Sequence, residues 1–426
     1  MKNAEITKRK TKILATLGPA SSSIKKIVEL TNAGTNAFRL NCSHLDQNGL
    51  KNYVKKIRRP EAIIKKPIGI LVDLQGPKIR IGTVNEGENF LKKGNIFTLD
   101  LKKEIGNDER VFLPHKKIYT SIKKGHSILL DDGKIHLKVI SIKKDQIKAR
   151  IIQGGYLKSN KGVNLPQTDI KKSALSNVDK KFVSIALKEG VDWIALSFVQ
   201  KPSDIKELRK LCSNKVSIMA KIEKPSALDH IDAIASLADG IMIARGDLGV
   251  ELPIESVPGW QKKIIQVARI KGKPVVVSTQ MLESMTSSLT PTRAEVSDVA
   301  NAVFEGVDAI MLSAESASGN YPIETVKMMN KIAINIEKDN SYNDILSSQL
   351  EETPDTTPDA IAIAAKTLAD ELSAPIIVCY TESGSTGIKV SRVRPSQTIL
   401  TITPIIETAR KLSLAWGVLC FLQKDE

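Results

Sequence analysis

The stretch "KVSIMAKIEKPSALDHIDAIASLADGIMIARGD", residues 215–247, decides the fold. It opens on an apolar run of strand type (215–223), passes through an amphipathic segment (225–238) and ends in a second apolar run (239–247). That order reads as strand, helix, parallel strand. Lys221 and Glu223 stand two residues apart, so a strand would point both charges to one side. A buried strand has no structural need for an ammonium and a carboxylate at its end.

The same pattern recurs along the chain. Apolar runs lie at 11–18, 35–41, 67–73, 191–198, 273–280 and 307–315, which with the two above makes eight. Most are followed by a helical segment such as "SSSIKKIVELTNAG". Eight βα units predict a closed (β/α)8 TIM barrel, whose functional groups sit at the C-terminal ends of the strands. Nearly every run here ends in polar groups: Arg39 and Asn41, Asp73, Ser197, Lys221 and Glu223, Arg245 and Asp247, Thr279, then Ser313 and Glu315. Seven such endings on one rim point to an active site.

The spacing is uneven. More than a hundred residues separate the third run from the fourth, too many for one crossover. Residues 81–165 alternate in short segments broken by Gly, Asn and Asp, which reads as a small antiparallel β domain inserted in a barrel loop. "LEETPDTTPDA" reads as a linker, and a further α/β stretch follows it. The expected domains are therefore a barrel in two parts (1–76 and 169–342), an inserted small β-barrel lid (77–168) and a C-terminal α/β domain (343–426).

The totals set the class. The 426 residues suffice for two or three cores, and 42% hydrophobic content is ordinary for a globular protein. No apolar run approaches the roughly 18 residues of a membrane span, and the N-terminus lacks a secretory apolar segment. The scattered Cys42, Cys212, Cys379 and Cys420 make neither a metal-ligand spacing nor a disulfide framework, so a cytoplasmic setting is expected. The net charge of +16 comes mostly from Lys in short pairs, and aromatics are only 4%. Stacking platforms for single strands are then hard to build, which argues against a nucleic-acid partner. A multiply anionic substrate fits the charge.

Lys221 and Glu223, with Asp247 after the next run, put two carboxylates beside an ammonium. Such hard oxygen donors suit Mg²⁺ or Mn²⁺, and the lysine can neutralise charge on a bound oxygen. Gly246 and Gly249 let backbone approach an anion.

These segments resemble a known family. "TLGPASSS", "FRLNCSH", "MAKIEKPSAL", "GIMIARGDLGVELP", "KPVVVSTQMLESM" and "PTRAEVSDVANAVFEGVDAIMLSAESASGNYP" are similar, in order, to the motifs of pyruvate kinase. The resemblance runs from about residue 11 to the end. It implies phosphate transfer from phosphoenolpyruvate to ADP, the ATP-forming last step of glycolysis.

It also implies roles. Lys221 offsets charge as the phosphoryl group departs, and Arg39 contacts that group. Glu223 and Asp247 hold Mg²⁺ (or Mn²⁺), while Ala244, Arg245, Gly246, Asp247 and Thr279 form the substrate site. Thr279, Ser313 and Glu315 together hold a water that protonates the enolate, although Ser313 and Glu315 equally suit a helix cap. Arg80 and Lys161 from the lid, with Asn41 and His44 below, reach the nucleotide phosphates.

The sequence departs from the family in two places. K⁺ would be held by Asn41, Ser43, Asp73 and a threonine, but "DLQGPKIR" has Leu74 in place of that threonine and Lys78 in place of a glutamate. Lys78 can carry the missing charge covalently, so K⁺-independent activity is expected. The C-terminal domain resembles the family's only through "VCYTESGSTGIKVSRVRP" and "TARKLSLAWGV", and about fifty residues of the usual ending are missing. The turn Thr381, Ser383, Ser385, Thr386 is the candidate effector site. A homo-oligomer is expected, a tetramer as in the family or a dimer given the shorter ending.

Overall fold

The computed structural model describes residues 9–86, 89–168, 173–348 and 356–423. Strands β1 (Lys12–Thr16), β2 (Ala37–Asn41) and β3 (Gly69–Asp73) begin the barrel. The chain then leaves it for the lid: β4 (Phe90–Leu91), β5 (Ile96–Asp100), β6 (Arg110–Phe112), β7 (Ser127–Leu130), β8 (Ile135–Lys143), β9 (Gln146–Gln153), β10 (Gly155–Tyr156) and β11 (Val163–Asn164). It returns as β12 (Trp193–Leu196), β13 (Ser217–Ile222), β14 (Gly240–Ala244), β15 (Val275–Ser278) and β16 (Ala309–Leu312). Strands β17 (Ile376–Tyr380), β18 (Thr398–Thr403) and β19 (Val418–Leu422) make the C-terminal sheet.

The eight barrel strands close in the order β1-β16-β15-β14-β13-β12-β3-β2, all parallel. They are buried on both faces, as helices outside and side chains inside require. The interior is filled by Leu14, Leu71, Trp193, Met219, Met242 and Met311. Leu414, from the C-terminal domain, belongs to the same cluster, so that domain plugs the floor opposite the rim. Gly69 permits the plug: a Cβ there would lie 2.2 Å from Ser413 Oγ.

The outer helices start where the sequence supplies caps. The Thr292 hydroxyl accepts from the Glu295 N–H at 3.2 Å, and Glu295 returns the bond to the Thr292 N–H at 2.7 Å. Glu295 also accepts from the Ser284 N–H at 2.7 Å, so the "PTRAE" segment pins the loop after β15.

The lid has its own apolar core, centred on Phe97, Leu99, Leu137 and Ile147. Its main sheet has the order β11-β7-β8-β9-β5-β6 and curls at irregularities in the β8–β9 pairing. The pairs are antiparallel except β5–β6, which is parallel. The C-terminal sheet is parallel, with β18 central. Part of the linker read at 350–360 and the boundary after residue 168 lie outside the described residues. All four cysteines are free, and no described helix is long and apolar enough to cross a membrane.

The floor holds a costly group. The Lys12 ammonium is buried and donates to the Val418 carbonyl at 2.8 Å. Burial, with Arg9 and Lys66 nearby, pushes its pKa down to about 7. A lysine depressed in the folded state binds fewer protons than the unfolded chain between that value and the ordinary 10.5, so stability rises with pH across that window. The penalty is full below pH ~7 and amounts to several kcal/mol. Lys12→Met is therefore expected to raise the urea midpoint at pH 6 and to lose that advantage towards pH 10. A gain that does not depend on pH would contradict this.

Candidate functional site

The barrel register brings the predicted rim residues together. Asn41 pairs with Asp73, Asp73 with Ala195, and Lys221 with Met242, so these positions end their strands at similar heights. Lys221 is the centre. Its ammonium lies 3.0 Å from Asp73 Oδ1, 2.9 Å from Glu223 Oε1 and 2.9 Å from Ser197 Oγ. Arg39 reaches the same aspartate from β2, with Nε and Nη2 each 2.7 Å from Asp73 Oδ2, and donates to Thr16 Oγ1 at 3.1 Å.

The electrostatics follow from the burial. Asp73 is 1% exposed; burial pushes its carboxyl up, but Lys221 and Arg39 more than offset this and hold it below the ordinary range. Burial by itself would lower Lys221, and the carboxylates of Asp73 and Glu223 instead hold it firmly cationic. Glu223 is also 1% exposed, and its carboxyl is raised by burial and by the neighbouring charge of Asp247. Three carboxylates, Asp73, Glu223 and Asp247, against the two fixed cations Lys221 and Arg39 leave the rim short of positive charge.

That shortage fits a divalent cation. Among the described residues no three His, Cys, Asp or Glu side chains converge, so an all-protein cage is absent. Glu223 and Asp247 remain, a two-carboxylate donor set. Mg²⁺ commonly takes one or two carboxylates and completes its octahedron with water and substrate oxygens, so the residues fit it.

Asp247 lies in the first turn of the helix Arg245–Glu251, directly after β14. The Gly246 N–H donates to Thr279 Oγ1 at 2.8 Å, which ties that helix to the end of β15. Thr279 itself stands one residue beyond β15 with a left-handed φ of 72°. Its hydroxyl donates to the Ser278 carbonyl at 2.6 Å. The Arg245 guanidinium is held on Asp298, at 2.6 and 2.7 Å, and on the Thr279 carbonyl at 2.8 Å. Its contribution to the rim is therefore its backbone and the fixing of Thr279, and Asp298 is a partner that sequence reading missed.

Ser313 and Glu315 form a turn of their own. Glu315 is buried and accepts from the Ser313 N–H at 2.7 Å and the Leu282 N–H at 3.3 Å, and burial raises its carboxyl. Its oxygens thus fix the backbone after β16, while the Ser313 hydroxyl makes no capping hydrogen bond to the short helix Ala314–Ala317.

Around the mouth, Asn41 Oδ1 accepts from the Ser43 N–H at 3.1 Å, and His44 is exposed. On the lid, Arg80 donates to the Asn160 carbonyl at 3.0 Å, and an isolated bridge pairs Arg80 with Gly162. Lys161 sits 2.7 Å from Asp131, and Lys78 sits 3.7 Å from Asp132. Lys78 thus faces the cleft between lid and barrel, which Gly246 and Asp247 also line. Leu74 is buried and offers no side-chain oxygen. In the C-terminal domain the Gly384 N–H donates to Thr381 Oγ1 at 3.0 Å, and the Ser383 and Ser385 hydroxyls meet at 3.1 Å.

Comparison with known proteins agrees with this geometry. Residues 8–326 match the family model described as the pyruvate kinase barrel domain, and 359–426 match the pyruvate kinase alpha/beta domain. A pyruvate kinase of Methylorubrum extorquens is 49% identical over 98% of this chain and 87% of its own length. One from Agrobacterium vitis is 48% identical over 97% and 88%. The crystal structure of a pyruvate kinase from Cryptosporidium parvum superposes with a TM-score of 0.94 at 34% identity, covering 99% of this chain and 89% of that one.

Proposed function

The chain belongs to the pyruvate kinase family and is an enzyme of that class, acting on phosphoenolpyruvate and ADP; from that premise we propose how its own residues divide the work. The observation that carries the reading is the Lys221 ammonium held between Asp73 and Glu223 at the barrel rim. An ammonium there is positioned to meet the bridging oxygen and the phosphoryl group as charge develops on them.

Glu223 and Asp247 would hold the divalent ion, Mg²⁺ or Mn²⁺. Bound there, it would neutralise charge on the substrate's carboxylate and phosphate oxygens. Arg39, anchored on Asp73, orients the phosphoryl group. Thr279 Oγ1 and the backbone of Ala244, Arg245 and Gly246 receive the substrate carboxylate. Thr279 and Ser313 flank the enolate carbon for protonation, with Glu315 fixing the turn between them. Arg80, Lys161, Asn41 and His44 line the nucleotide side, and the lid (77–168) closes over it and excludes water. The barrel (1–76, 169–342) carries the chemistry. The C-terminal domain (343–426) presents Thr381, Ser383, Ser385 and Thr386 as a phosphate-binding effector turn. A homo-oligomer in the cytoplasm completes the proposal.

The finer reading is K⁺ independence. Asn41, Ser43 and Asp73 supply oxygens, Leu74 supplies none, and Lys78 lies on the same segment with its ammonium in the cleft. One monovalent charge is needed, and Lys78 supplies it. The test is pyruvate formation from phosphoenolpyruvate, ADP and Mg²⁺ in K⁺-free buffer. Wild type is expected to reach full rate before K⁺ is added. Lys78→Gln is expected to lose about tenfold or more, as removal of one transition-state charge does. A wild-type rate that appears only with K⁺ would keep the enzyme and discard the role of Lys78.

A further inference from the structure

The lid joins the barrel by two crossings, and they rest on Phe198, which contacts Glu223, and on Glu251, which contacts its neighbour Lys224. On the outgoing crossing, Gly76 has a left-handed φ of 69°, and a Cβ there would lie 2.6 Å from Phe198 Cδ2. The backbone therefore lies directly on the Phe198 ring. On the return crossing, Asn164 ends β11, which pairs with lid strand β7. Its side-chain amide donates to Glu251 Oε1 at 2.8 Å. Glu251 is buried, and the Lys224 ammonium is held on the same oxygen.

The two contacts converge. Lys224 directly follows Glu223, and its ammonium lies 5.8 Å from the Phe198 ring centroid. The Phe198 N–H donates to Glu223 Oε2 at 2.9 Å, from a backbone with a left-handed φ of 57°. That φ is uncommon for an aromatic residue and persists only where the surroundings enforce it. Glu251 also ends the helix whose first turn carries Asp247. A single buried carboxylate thus touches the lid and, through one lysine and one ring, abuts the segments that carry both candidate metal ligands.

We propose that Glu251 is a positioning residue which, with Lys224 and Phe198, makes the setting of the lid hinge and the occupancy of the divalent-cation site mutually dependent. The proposal rests on the assignment of Glu223 and Asp247 as the metal carboxylates. If Asn164 leaves, Glu251 keeps the Lys224 charge but its buried oxygen loses a donor that water does not replace, so the bond resists being broken. A hinge movement that displaces Asn164 or Gly76 therefore drags Lys224 and the Phe198 N–H with it. Fixing Glu223 on a cation holds the same groups still. The coupling is reciprocal by thermodynamic necessity.

The test uses the full chain and Mn²⁺ alone as the probe. Its affinity is read by electron paramagnetic resonance of the free ion. The hinge is read by amide hydrogen exchange over residues 76–84 and 157–165. In wild type, Mn²⁺ is expected to slow hinge exchange by about fivefold or more. In Glu251→Gln and in Lys224→Met the ion should still bind within about threefold of wild type, while the slowing falls to near unity. Glu251→Asp, which keeps the charge, should retain part of it.

Equal slowing in wild type and both variants would overturn the proposal. So would a variant whose exchange rises by the same factor with and without Mn²⁺, since that is a purely structural effect. Lys224→Met reads the link independently if Glu251→Gln fails to fold. If Glu223→Gln binds Mn²⁺ as tightly as wild type, the metal assignment itself falls and takes the coupling with it.

Discussion

Lys221→Met is expected to lower the rate of pyruvate formation by about a thousandfold or more. Removing one pre-organised donor from a transition state costs roughly 10²–10³ in rate, and this donor does more than one thing. Its ammonium is within 3.1 Å of both Asp73 oxygens and lies 2.9 Å from Glu223 Oε1. Without it, Glu223 loses its cation and Asp73 keeps only Arg39. The site would repel the phosphate and carboxylate that it must bind. The same loss leaves buried charge uncompensated, worth about 3–5 kcal/mol against the fold. Mg²⁺ should restore part of that stability, since it meets Glu223, one of the two carboxylates that lose Lys221. Lys221→Arg should fail to rescue turnover, because a planar fork does not replace a point charge among three acceptors. A coupled assay and a urea titration with and without Mg²⁺ check these outcomes. A methionine variant with near-normal turnover would remove Lys221 from the reaction.

Asp308→Ala is expected to destabilise the protein by about 3–5 kcal/mol, the cost of breaking a buried pair by removing one partner. Asp308 is 4% exposed and sits one residue before β16, on the floor of the barrel. One oxygen accepts from Arg394 at 2.9 Å and from the Val275 N–H at 3.0 Å, and the other accepts from the Trp416 N–H at 3.1 Å. Alanine would leave the buried Arg394 guanidinium and two backbone N–H groups without that acceptor. The C-terminal domain would lose one of its polar ties to the barrel, beside the Arg410–Glu61 pair. Asp308→Ala combined with Arg394→Met should recover part of the loss, because the pair is then removed together. Kinetic constants measured at low temperature should stay close to wild type, since the rim lies at the other end. A double variant that is no more stable than the single one would show that the pair is not what holds the domains.

Much of this was legible in the sequence because it is local. Each barrel strand announces itself as a short apolar run, and its polar ending marks the rim. The Lys221–Glu223 pair could be read because both residues lie at one strand end. The resemblance then placed Arg39, Asp247 and Thr279. What was not legible is long-range. The sequence offers Asp73 as an oxygen for a monovalent ion and says nothing of its second contact, with Lys221, 148 residues away. The Arg245–Asp298 pair and the Asn164–Glu251 bond join distant segments by the same kind of geometry. Periodicity reports which face of an element is buried. It carries no information on which distant side chain will meet it.

The position of the lid in the chain matters for how the protein is made. Strand β3 ends at Asp73 and its partner β12 begins at Trp193. A ribosome adding roughly 5–20 residues per second needs some 6–24 seconds to cover that interval. During that time three parallel strands exist with an open hydrogen-bonding edge, while the lid, with a separate core, can already fold. The first and last barrel strands meet only after residue 312 has emerged. The outer edge of β1, which waits from residue 16 until residue 309 for its partner β16, is thus the nascent chain's longest exposure, and the place where a chaperone would be most needed.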